Sequence, residues 1–253
     1  MRTGPTLRTT EDALFGGKVR LFQPAPGAGY RTNVDALLLA AFAGGARRSA
    51  RIAVDLGAGV GAVGFSLLHL GIAERIEFVE REPPIAELCE RNIAANGASR
   101  RAAVHVGDLA RPLRAIAPTL VHAASLVVAN PPYVAEGRDG RAARDPRTAL
   151  RQRARHGDLL PFVRAAAEAL GKRGRACFVY PAHAALDLML LARGKGLEPK
   201  RLRFVHGKRD RPARVVLLEL ANAKPGGLVV ETPLIETGDD GRPSAEVAEL
   251  LAR

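Results

Sequence analysis

The segment Asn130-Pro131-Pro132-Tyr133 combines groups that could hold a planar amine. It follows an apolar run at 125–129, which is typical of a parallel strand covered on both faces. The prolines stiffen the turn, so the Asn130 amide oxygen and the Pro131 carbonyl can accept hydrogen bonds from one –NH2 group. Two such acceptors favour a tetrahedral nitrogen whose lone pair points at an incoming methyl group. The Tyr133 ring offers a face on which a planar group could stack.

A rigid turn is the alternative interpretation of this segment, because asparagine before proline often caps its own turn. Its position after an apolar strand and downstream of a glycine-rich loop favours the amine site. No acid–base residue is required before methyl transfer, since the proton can leave afterwards.

A glycine-rich loop directly follows the first predicted strand, which spans residues 51–56. Its glycines allow a sharp turn and close approach of a ligand; they are Gly57, Gly59 and Gly61. The loop fits S-adenosylmethionine (SAM), but Gly59-x-Gly61-x-x-Gly64 also matches the dinucleotide pattern of NAD-binding proteins. Asp55, two residues before the first glycine, favours SAM, whose ammonium needs a nearby carboxylate. A purely structural glycine turn is the third interpretation.

Two further carboxylates follow the next predicted strands, at 75–80 and 102–106. Glu80 ends the first of these strands, where it could accept both hydroxyls of a ribose. Asp108 follows the second, where it could accept from an adenine amine. Asp108 could equally cap a following helix, and the two roles are compatible.

Strands and helices alternate around these residues. Beyond the three strands named above, the pattern predicts strands at 125–129, 175–180, 200–205 and 214–220. Helices are predicted near 61–70, 83–96, 158–170 and 181–193. Alternation with short loops predicts an α/β fold, a doubly wound, seven-stranded, mostly parallel sheet with an antiparallel edge hairpin. In the first 35 residues, a short strand at 19–22 is expected to pair with the region around Tyr30.

Composition excludes several classes of protein. The chain has 253 residues, 47% hydrophobic and 25% charged, as in an ordinary globular protein, so wholesale disorder is excluded. Two cysteines exclude a disulfide framework and a zinc ribbon, and the histidines share no metal spacing, so no metal is expected. The longest apolar run, 36–43, is far shorter than the roughly 18 residues of a membrane span. Without a secretory signal, the expected location is cytoplasmic.

The charge favours a polyanionic partner. Thirty-eight Lys and Arg against 26 Asp and Glu give a net charge of +12, which is typical of nucleic-acid binding. All but six of the basic residues are arginine, so a GC-rich genome could also explain the excess. Seven arginines lie between positions 138 and 155 and could grip phosphates beside the substrate entrance; the candidates are Arg138, Arg147, Arg151 and Arg153. A solvated loop is the alternative. A second basic group lies on the predicted hairpin: Lys200, Arg201, Arg203, Lys208, Arg209, Arg211 and Arg214.

The motifs together resemble a known family. The glycine loop at 55–61 and the segment at 130–133 are similar to those of class I SAM-dependent amino-methyltransferases, which modify adenine N6 or glutamine N5. The head segments 10–17, 23–24 and 29–40 are similar to the bacterial tRNA(Val) adenine-N6 methyltransferase family, whose target adenine lies 3′ of the anticodon. The resemblance extends from about Thr10 to about Leu251 and implies a Rossmann-like fold, with SAM as cofactor and tRNA as partner.

The resemblance also implies roles for individual residues. Asn130, Pro131 and Tyr133 would hold the target amine and are the catalytic candidates. The cofactor candidates near the methionine end are Asp55, Gly57, Gly59, Gly61 and Asp35, although Asp35 follows Val34 where the family often has threonine. Glu80 would accept from the ribose and Asp108 from the adenine.

We therefore expect one methyltransferase domain over 1–253, with 1–34 as an N-terminal extension, that methylates adenine N6 in RNA. A glutamine-N5 methyltransferase is the first alternative, although its family carries a helical substrate domain before the loop and only about 50 residues precede the loop here. DNA adenine methylation and a non-catalytic SAM- or NAD-binding module are further alternatives. The sequence predicts no oligomeric state.

Overall fold

The structure is a computed structural model that describes residues 7–27, 31–45, 49–132 and 159–253. Its strands are β1 (Thr9–Leu14), β2 (Val19–Pro24), β3 (Ala53–Leu56), β4 (Ile76–Glu80), β5 (Ala102–Val106), β6 (Ala124–Ala129), β7 (Leu170–Pro181), β8 (Glu198–His206), β9 (Ala213–Ala221), β10 (Val229–Val230) and β11 (Leu234–Ile235). Its helices are α1 (Val34–Gly44), α2 (Ala62–His69), α3 (Pro83–Ala95), α4 (described over 159–169), α5 (Ala185–Arg193) and α6 (Ala245–Ala252).

The main sheet has the strand order β10-β8-β9-β7-β6-β3-β4-β5. Strands β5, β4, β3, β6 and β7 are mutually parallel, whereas β9 is antiparallel to both β7 and β8. From β3 the chain proceeds outward to β5 and then returns to β6 on the other side of β3. This reversal creates a crevice at the carboxyl ends of β3 and β6, where open α/β sheets bind ligands. The predicted doubly wound sheet with an antiparallel edge hairpin is confirmed.

Two apolar layers cover the two faces of the sheet. Alternate strand residues point to opposite faces, so Ala53 packs with α1, α2 and α3, while Val54 packs with α4 and α5. The strands are apolar on both faces because both faces are covered. This packing fixes the carboxyl edge of the strands, where the candidate site residues lie.

The sheet has two more strands at its edge than the sequence predicts. The seven expected strands correspond to β3–β9, but β10 and β11 also pair in parallel with β8. Each of these added strands contains two residues, and runs this short have no detectable periodicity.

The N-terminal strand β2 forms a hairpin with β1. The two strands pair in antiparallel register, from Leu14↔Val19 to Thr9↔Pro24, whereas Tyr30, near which the expected partner of β2 lies, is outside the described residues. A tight connection through Gly16 and Gly17 joins the two strands, and hairpins favour such local pairing. Phe15, at the start of this connection, is 2% exposed and packs into the α1–α2 layer.

Candidate functional site

The sheet register brings three predicted site residues to one edge. Leu56 in β3 pairs with Val79 in β4 and with Ala129 in β6. The next residue along each strand is therefore Gly57, Glu80 and Asn130, respectively. Adjacent strands lie about 4.8 Å apart, so these residues border a single crevice at the carboxyl edge.

Asp55 is a buried carboxyl group beneath the glycine loop. It is 1% exposed, and its Oδ2 accepts a hydrogen bond of 3.0 Å from the backbone N–H of Gly64 in α2. Burial raises the pKa of this carboxyl group to about 7, against the opposing effect of the Gly64 hydrogen bond, and the charge of Glu80 raises it further. A nearby cation would favour the ionised form, so the site is suited to a ligand that carries an ammonium group.

Glu80 connects the second strand to the glycine loop. Its Oε2 accepts from the Gly59 N–H at 2.8 Å, while its Oε1 accepts from the N–H groups of Arg81 and Glu82 at 2.8 and 2.9 Å. A carboxylate offers about four acceptor positions, and backbone donors fill three of them. A ribose hydroxyl would therefore have to share an oxygen with Gly59 or replace its N–H.

The two glycines that open the loop have different surroundings. Both have positive φ, +66° at Gly57 and +56° at Gly59, which favours glycine. A Cβ added to Gly57 would lie 2.6 Å from the Phe162 ring of α4, whereas a Cβ on Gly59 would meet no heavy atom within 4 Å. Phe162 thus packs against the start of the loop, and Gly59 borders open space in the crevice.

Asn130 presents an unsatisfied acceptor at this edge. Its Oδ1 is buried and has no hydrogen-bond partner among the described residues. Buried polar atoms are nearly always hydrogen-bonded, so an orphaned oxygen next to the crevice is consistent with a site for a donor group. Pro131 is buried and Pro132 is exposed, while Tyr133 lies outside the described residues.

Asp108 closes a turn after β5. It is exposed, and its Oδ1 accepts from the Ala110 N–H at 2.8 Å. No α-helix follows it directly; the next helical element is a 3-10 turn at Leu113–Ala115. The proposed capping of a following helix is therefore replaced by a local turn, and its contact with an adenine stays a prediction.

Asp35 is fully buried in a charged network at the start of α1. Its Oδ1 and Oδ2 accept from Nη2 and Nη1 of Arg214 at 2.5 and 3.1 Å. Its Oδ2 also accepts from the Asn33 amide at 3.0 Å. Burial lowers the pKa of Arg214, but the hydrogen bonds that Arg214 donates to Asp35 and Glu236 outweigh this effect and raise its pKa overall. The predicted cofactor contact of Asp35 stays a prediction.

Asn92 is a connecting residue that the sequence analysis missed. It is 0% exposed, and its Nδ2 donates to the carbonyls of Phe22 in β2 and Val60 in the glycine loop, both at 3.0 Å. Its Oδ1 accepts from the Phe22 N–H at 2.7 Å. The N-terminal hairpin is thereby joined to the loop. The sequence contains only a weak signal for this role, an asparagine on the apolar face of α3.

The basic candidates fall into two groups. Arg138, Arg147, Arg151 and Arg153 lie outside the described residues. In the hairpin group, Arg201, Arg203 and Arg214 are ion-paired with glutamates or aspartate, and Lys200 donates to the carbonyls of Lys224 and Gly226. Four residues of that group are exposed: Lys208, Arg209 and Arg211 at the β8–β9 turn, and the ion-paired Arg214.

The described segments offer neither a metal-binding cluster nor a membrane-spanning helix. Those residues contain no group of three or more His, Cys, Asp or Glu that could hold a metal ion. Among them, no helix has both the length and the apolar character needed to cross a membrane.

The residues at the carboxyl edge fit SAM. Asp55 and Glu80 offer carboxylates for an ammonium and for ribose hydroxyls, and Gly59 borders open space. The orphaned Asn130 oxygen lies on the neighbouring strand end, where an acceptor amine could meet a methyl donor. Gly64 packs its backbone against Phe78 and Ile76, as the third glycine of a dinucleotide loop also would, so loop geometry alone does not separate SAM from NAD.

Comparison with known sequences separates the two cofactors. Residues 32–192 match the methyltransferase small domain family. A tRNA1(Val) (adenine(37)-N6)-methyltransferase of Porphyromonas gingivalis is 30% identical over 183 residues, which is 70% of this chain and 68% of that protein. The enzyme of the same name from Edwardsiella ictaluri is 29% identical over 191 residues, 74% of this chain and 72% of that protein.

Solved structures share the fold. A predicted O-methyltransferase from Agrobacterium tumefaciens has a TM-score of 0.67 at 22% identity, covering 85% of this chain and 94% of its own. M. jannaschii TYW2, solved in complex with AdoMet, has a TM-score of 0.55 at 14% identity, covering 88% and 90%. With the family match spanning the glycine loop and Asn130, the chain belongs to the methyltransferase small domain family and is a SAM-dependent methyltransferase.

Proposed function

We propose that the chain methylates the exocyclic N6 of an adenine in RNA, with tRNA near the anticodon as its substrate. The observation that carries this proposal is the buried Oδ1 of Asn130 next to the cofactor crevice, which has no hydrogen-bond partner in the described part of the chain. A target –NH2 group would supply the missing donor. The net charge of +12 favours a polyanionic substrate, and two relatives are named as tRNA adenine-N6 methyltransferases. Such a substrate is found in the cytoplasm.

The proposed mechanism rests on positioning. When bound, SAM supplies an electrophilic methyl group on a sulfonium sulfur. Asn130 Oδ1 and the Pro131 carbonyl accept hydrogen bonds from the adenine amine, which draws the nitrogen towards a tetrahedral geometry and aims its lone pair at the methyl carbon. The nitrogen would form the new C–N bond as the methyl–sulfur bond breaks and its electron pair stays on sulfur, which leaves a neutral thioether. The nitrogen would then release a proton to water, so no general base is required. The Tyr133 ring stacks on the base.

An unpaired nucleotide suits this site. A base in a single-stranded loop is easily splayed out of its stack, whereas a paired base must first be extruded at a cost of a few kcal/mol.

The remaining candidate residues bind the cofactor and the RNA backbone. Asp55, Glu80 and the loop glycines hold SAM, while Asp108 accepts from the adenine of SAM. The arginines at 138, 147, 151 and 153 grip neighbouring phosphates.

The test is a methylation assay with isotopically labelled SAM. Total tRNA from cells that lack the endogenous modification is incubated with the full-length chain, digested to nucleosides and analysed by mass spectrometry. Labelled N6-methyladenosine at one tRNA position is the expected product. Labelled N5-methylglutamine in a parallel reaction with release factors, and no labelled nucleoside, would instead identify a glutamine-N5 methyltransferase that uses the same amine site.

A further inference from the structure

Arg214 bridges two carboxylates at the start of α1. Its guanidinium bonds both oxygens of Asp35, as described above, and both oxygens of Glu236, through Nε at 3.0 Å and Nη2 at 2.7 Å. Asp35 is 0% exposed and the Glu236 side chain is 14% exposed. Paired bidentate contacts of this kind fix the orientation of both partners as well as their separation.

The three residues come from distant parts of the chain. Asp35 lies in the first turn of α1, Arg214 is near the start of β9, and Glu236 follows β11. Because β9 runs antiparallel to β7, with Val215 opposite Pro181, its start lies at the carboxyl edge of the parallel strands. Asp35 is therefore held at the edge where the glycine loop and Asn130 lie, and α1 packs beside α2, which follows that loop.

Burial makes the pairing of Asp35 necessary. A buried carboxylate is costly unless it is paired, and Arg214 supplies a bidentate partner at this edge. The methionine end of SAM carries an ammonium and a sulfonium, and a carboxylate held beside the crevice would be complementary to both.

We propose that Arg214, held in place by Glu236, is a positioning residue that orients the Asp35 carboxylate towards the methionine end of SAM. The inference rests on the proposed SAM site and adds two residues, Arg214 and Glu236, to its support. It makes the C-terminal segment after β11 a working part of the cofactor site, because Glu236 belongs to that segment.

Arg203 provides a matched control in the same hairpin. It lies in the middle of β8, opposite Leu217, and forms a bidentate pair with Glu246 of α6 at 2.5 and 2.8 Å. Its Nε donates to the Thr232 carbonyl at 2.9 Å. Arg203 therefore makes the same kind of contacts as Arg214, but its described hydrogen bonds go to Thr232 and Glu246 and not to α1. Loss of Arg203 should affect stability but not the orientation of Asp35.

The experiment is calorimetric titration of the full-length protein, without RNA, with two ligands. SAM carries the methionine end, whereas 5′-methylthioadenosine has the same nucleoside but no amino acid. We expect Arg214→Gln to weaken SAM binding by about tenfold and to leave methylthioadenosine binding unchanged. Glu236→Gln should cause a smaller loss of SAM affinity and should also leave methylthioadenosine affinity unchanged. Arg214→Lys should bind SAM more tightly than Arg214→Gln does. Arg203→Gln should change the affinity for neither ligand.

Equal losses for both ligands in Arg214→Gln, or SAM binding as strong as in the wild type, would overturn the positioning role. The milder Glu236→Gln variant keeps the test decisive if Arg214→Gln fails to fold, because a non-selective or absent effect in Glu236→Gln has the same meaning. Failure of the wild type to bind SAM would overturn the proposed function itself. Absence of RNA methylation by a wild type that binds SAM would leave the inference about Arg214 standing.

Discussion

At the scale of single residues, the buried carboxyl group of Asp55 should make the stability of the chain depend on pH. Its pKa is raised from 3.8 to about 7, so the folded chain holds this proton more tightly than the unfolded chain does. The contribution of Asp55 to stability therefore falls as the pH rises through that window. Asp55→Asn removes the buried charge and keeps an acceptor for the Gly64 N–H. We expect its melting temperature, relative to the wild type, to rise between about pH 5 and pH 8, by a few degrees in total.

The same substitution should weaken SAM binding, because it removes the carboxylate that we propose as the partner of the SAM ammonium. Asp210→Asn, which changes an exposed carboxyl group on the β8–β9 turn, is the control and should alter neither property. Thermal melts at the two pH values and calorimetric titration with SAM measure the two effects. A melting-temperature difference that does not depend on pH would contradict the raised pKa.

Asn130 is the residue to which the proposed mechanism assigns the target amine. Asn130→Ala should leave SAM affinity nearly intact and lower the single-turnover rate by about 10²–10³, the usual effect of losing one preorganised contact. Tyr133→Phe should be milder than Tyr133→Ala, since stacking needs the ring and not the hydroxyl. Single-turnover methylation of saturating RNA, with N6-methyladenosine quantified, measures all three. A near-wild-type rate for Asn130→Ala would disprove the amine-holding role.

At the scale of elements, the glycine loop contains two glycines whose substitution should have different effects. One substitution should mainly reduce stability, and the other should mainly reduce SAM affinity. Gly57→Ala should destabilise the chain strongly, because its Cβ would clash with the Phe162 ring at 2.6 Å. Gly59→Ala meets no neighbour within 4 Å, so only the strain of positive φ, about 1 kcal/mol, should appear in its stability. Its methyl group would nevertheless project into the crevice and should reduce SAM affinity. Denaturant unfolding and SAM titration of both variants separate the two effects.

A second substitution tests the cause assigned to Gly57. Phe162→Leu, combined with Gly57→Ala, should recover part of the lost stability if the ring is the obstacle. If the pair is no more stable than Gly57→Ala alone, backbone strain and not the clash explains the loss. If Gly59→Ala binds SAM normally, the open space at this position does not belong to the cofactor site.

The N-terminal hairpin is joined to the loop by one buried amide. Removing it in Asn92→Ala leaves the Phe22 and Val60 backbone groups without their partner, which should cost about 1–3 kcal/mol of unfolding free energy and weaken SAM binding. Asn96 makes the same pair of contacts, to the N–H and carbonyl of Arg20, but does not contact the loop. Asn96→Ala should therefore reduce stability less and leave SAM affinity unchanged. Equal SAM affinity in the two variants would separate the hairpin from the cofactor site.

At the scale of the whole molecule, the net charge of +12 predicts salt-sensitive RNA binding. Replacing Arg147, Arg151 and Arg153 with Ala should lower tRNA affinity and reduce the slope of log affinity against log salt by about two to three. Three exposed basic residues near the starts of β7 and β8, away from the carboxyl edge, provide an equally charged control: Lys172, Arg173 and Lys195. Fluorescence anisotropy over a salt series measures both triple variants. Equal slopes would mean that general charge, and not the arginine segment, attracts the RNA.

The sequence by itself determined most of the local elements and the position of the motifs on them. Residues 102–106 were predicted as a strand and form β5 with the same bounds, because a strand and its flanking turns are written in adjacent residues. The glycine loop and Asn130 were recognisable for the same reason, since each motif is continuous in the chain and directly follows a strand.

Tertiary structure decided the contacts between distant residues. Arg214 was grouped with the RNA-binding candidates, yet it pairs with Asp35, 179 positions away. Asn92 contacts Phe22, which is 70 positions away in the sequence. Phe162 packs against Gly57, although the two residues belong to distant parts of the sequence. Periodicity and local spacing report which face of an element is apolar, but they carry no information about which charged or polar side chains meet. That depends on strand order and register, which are fixed only when both faces of the sheet are buried together.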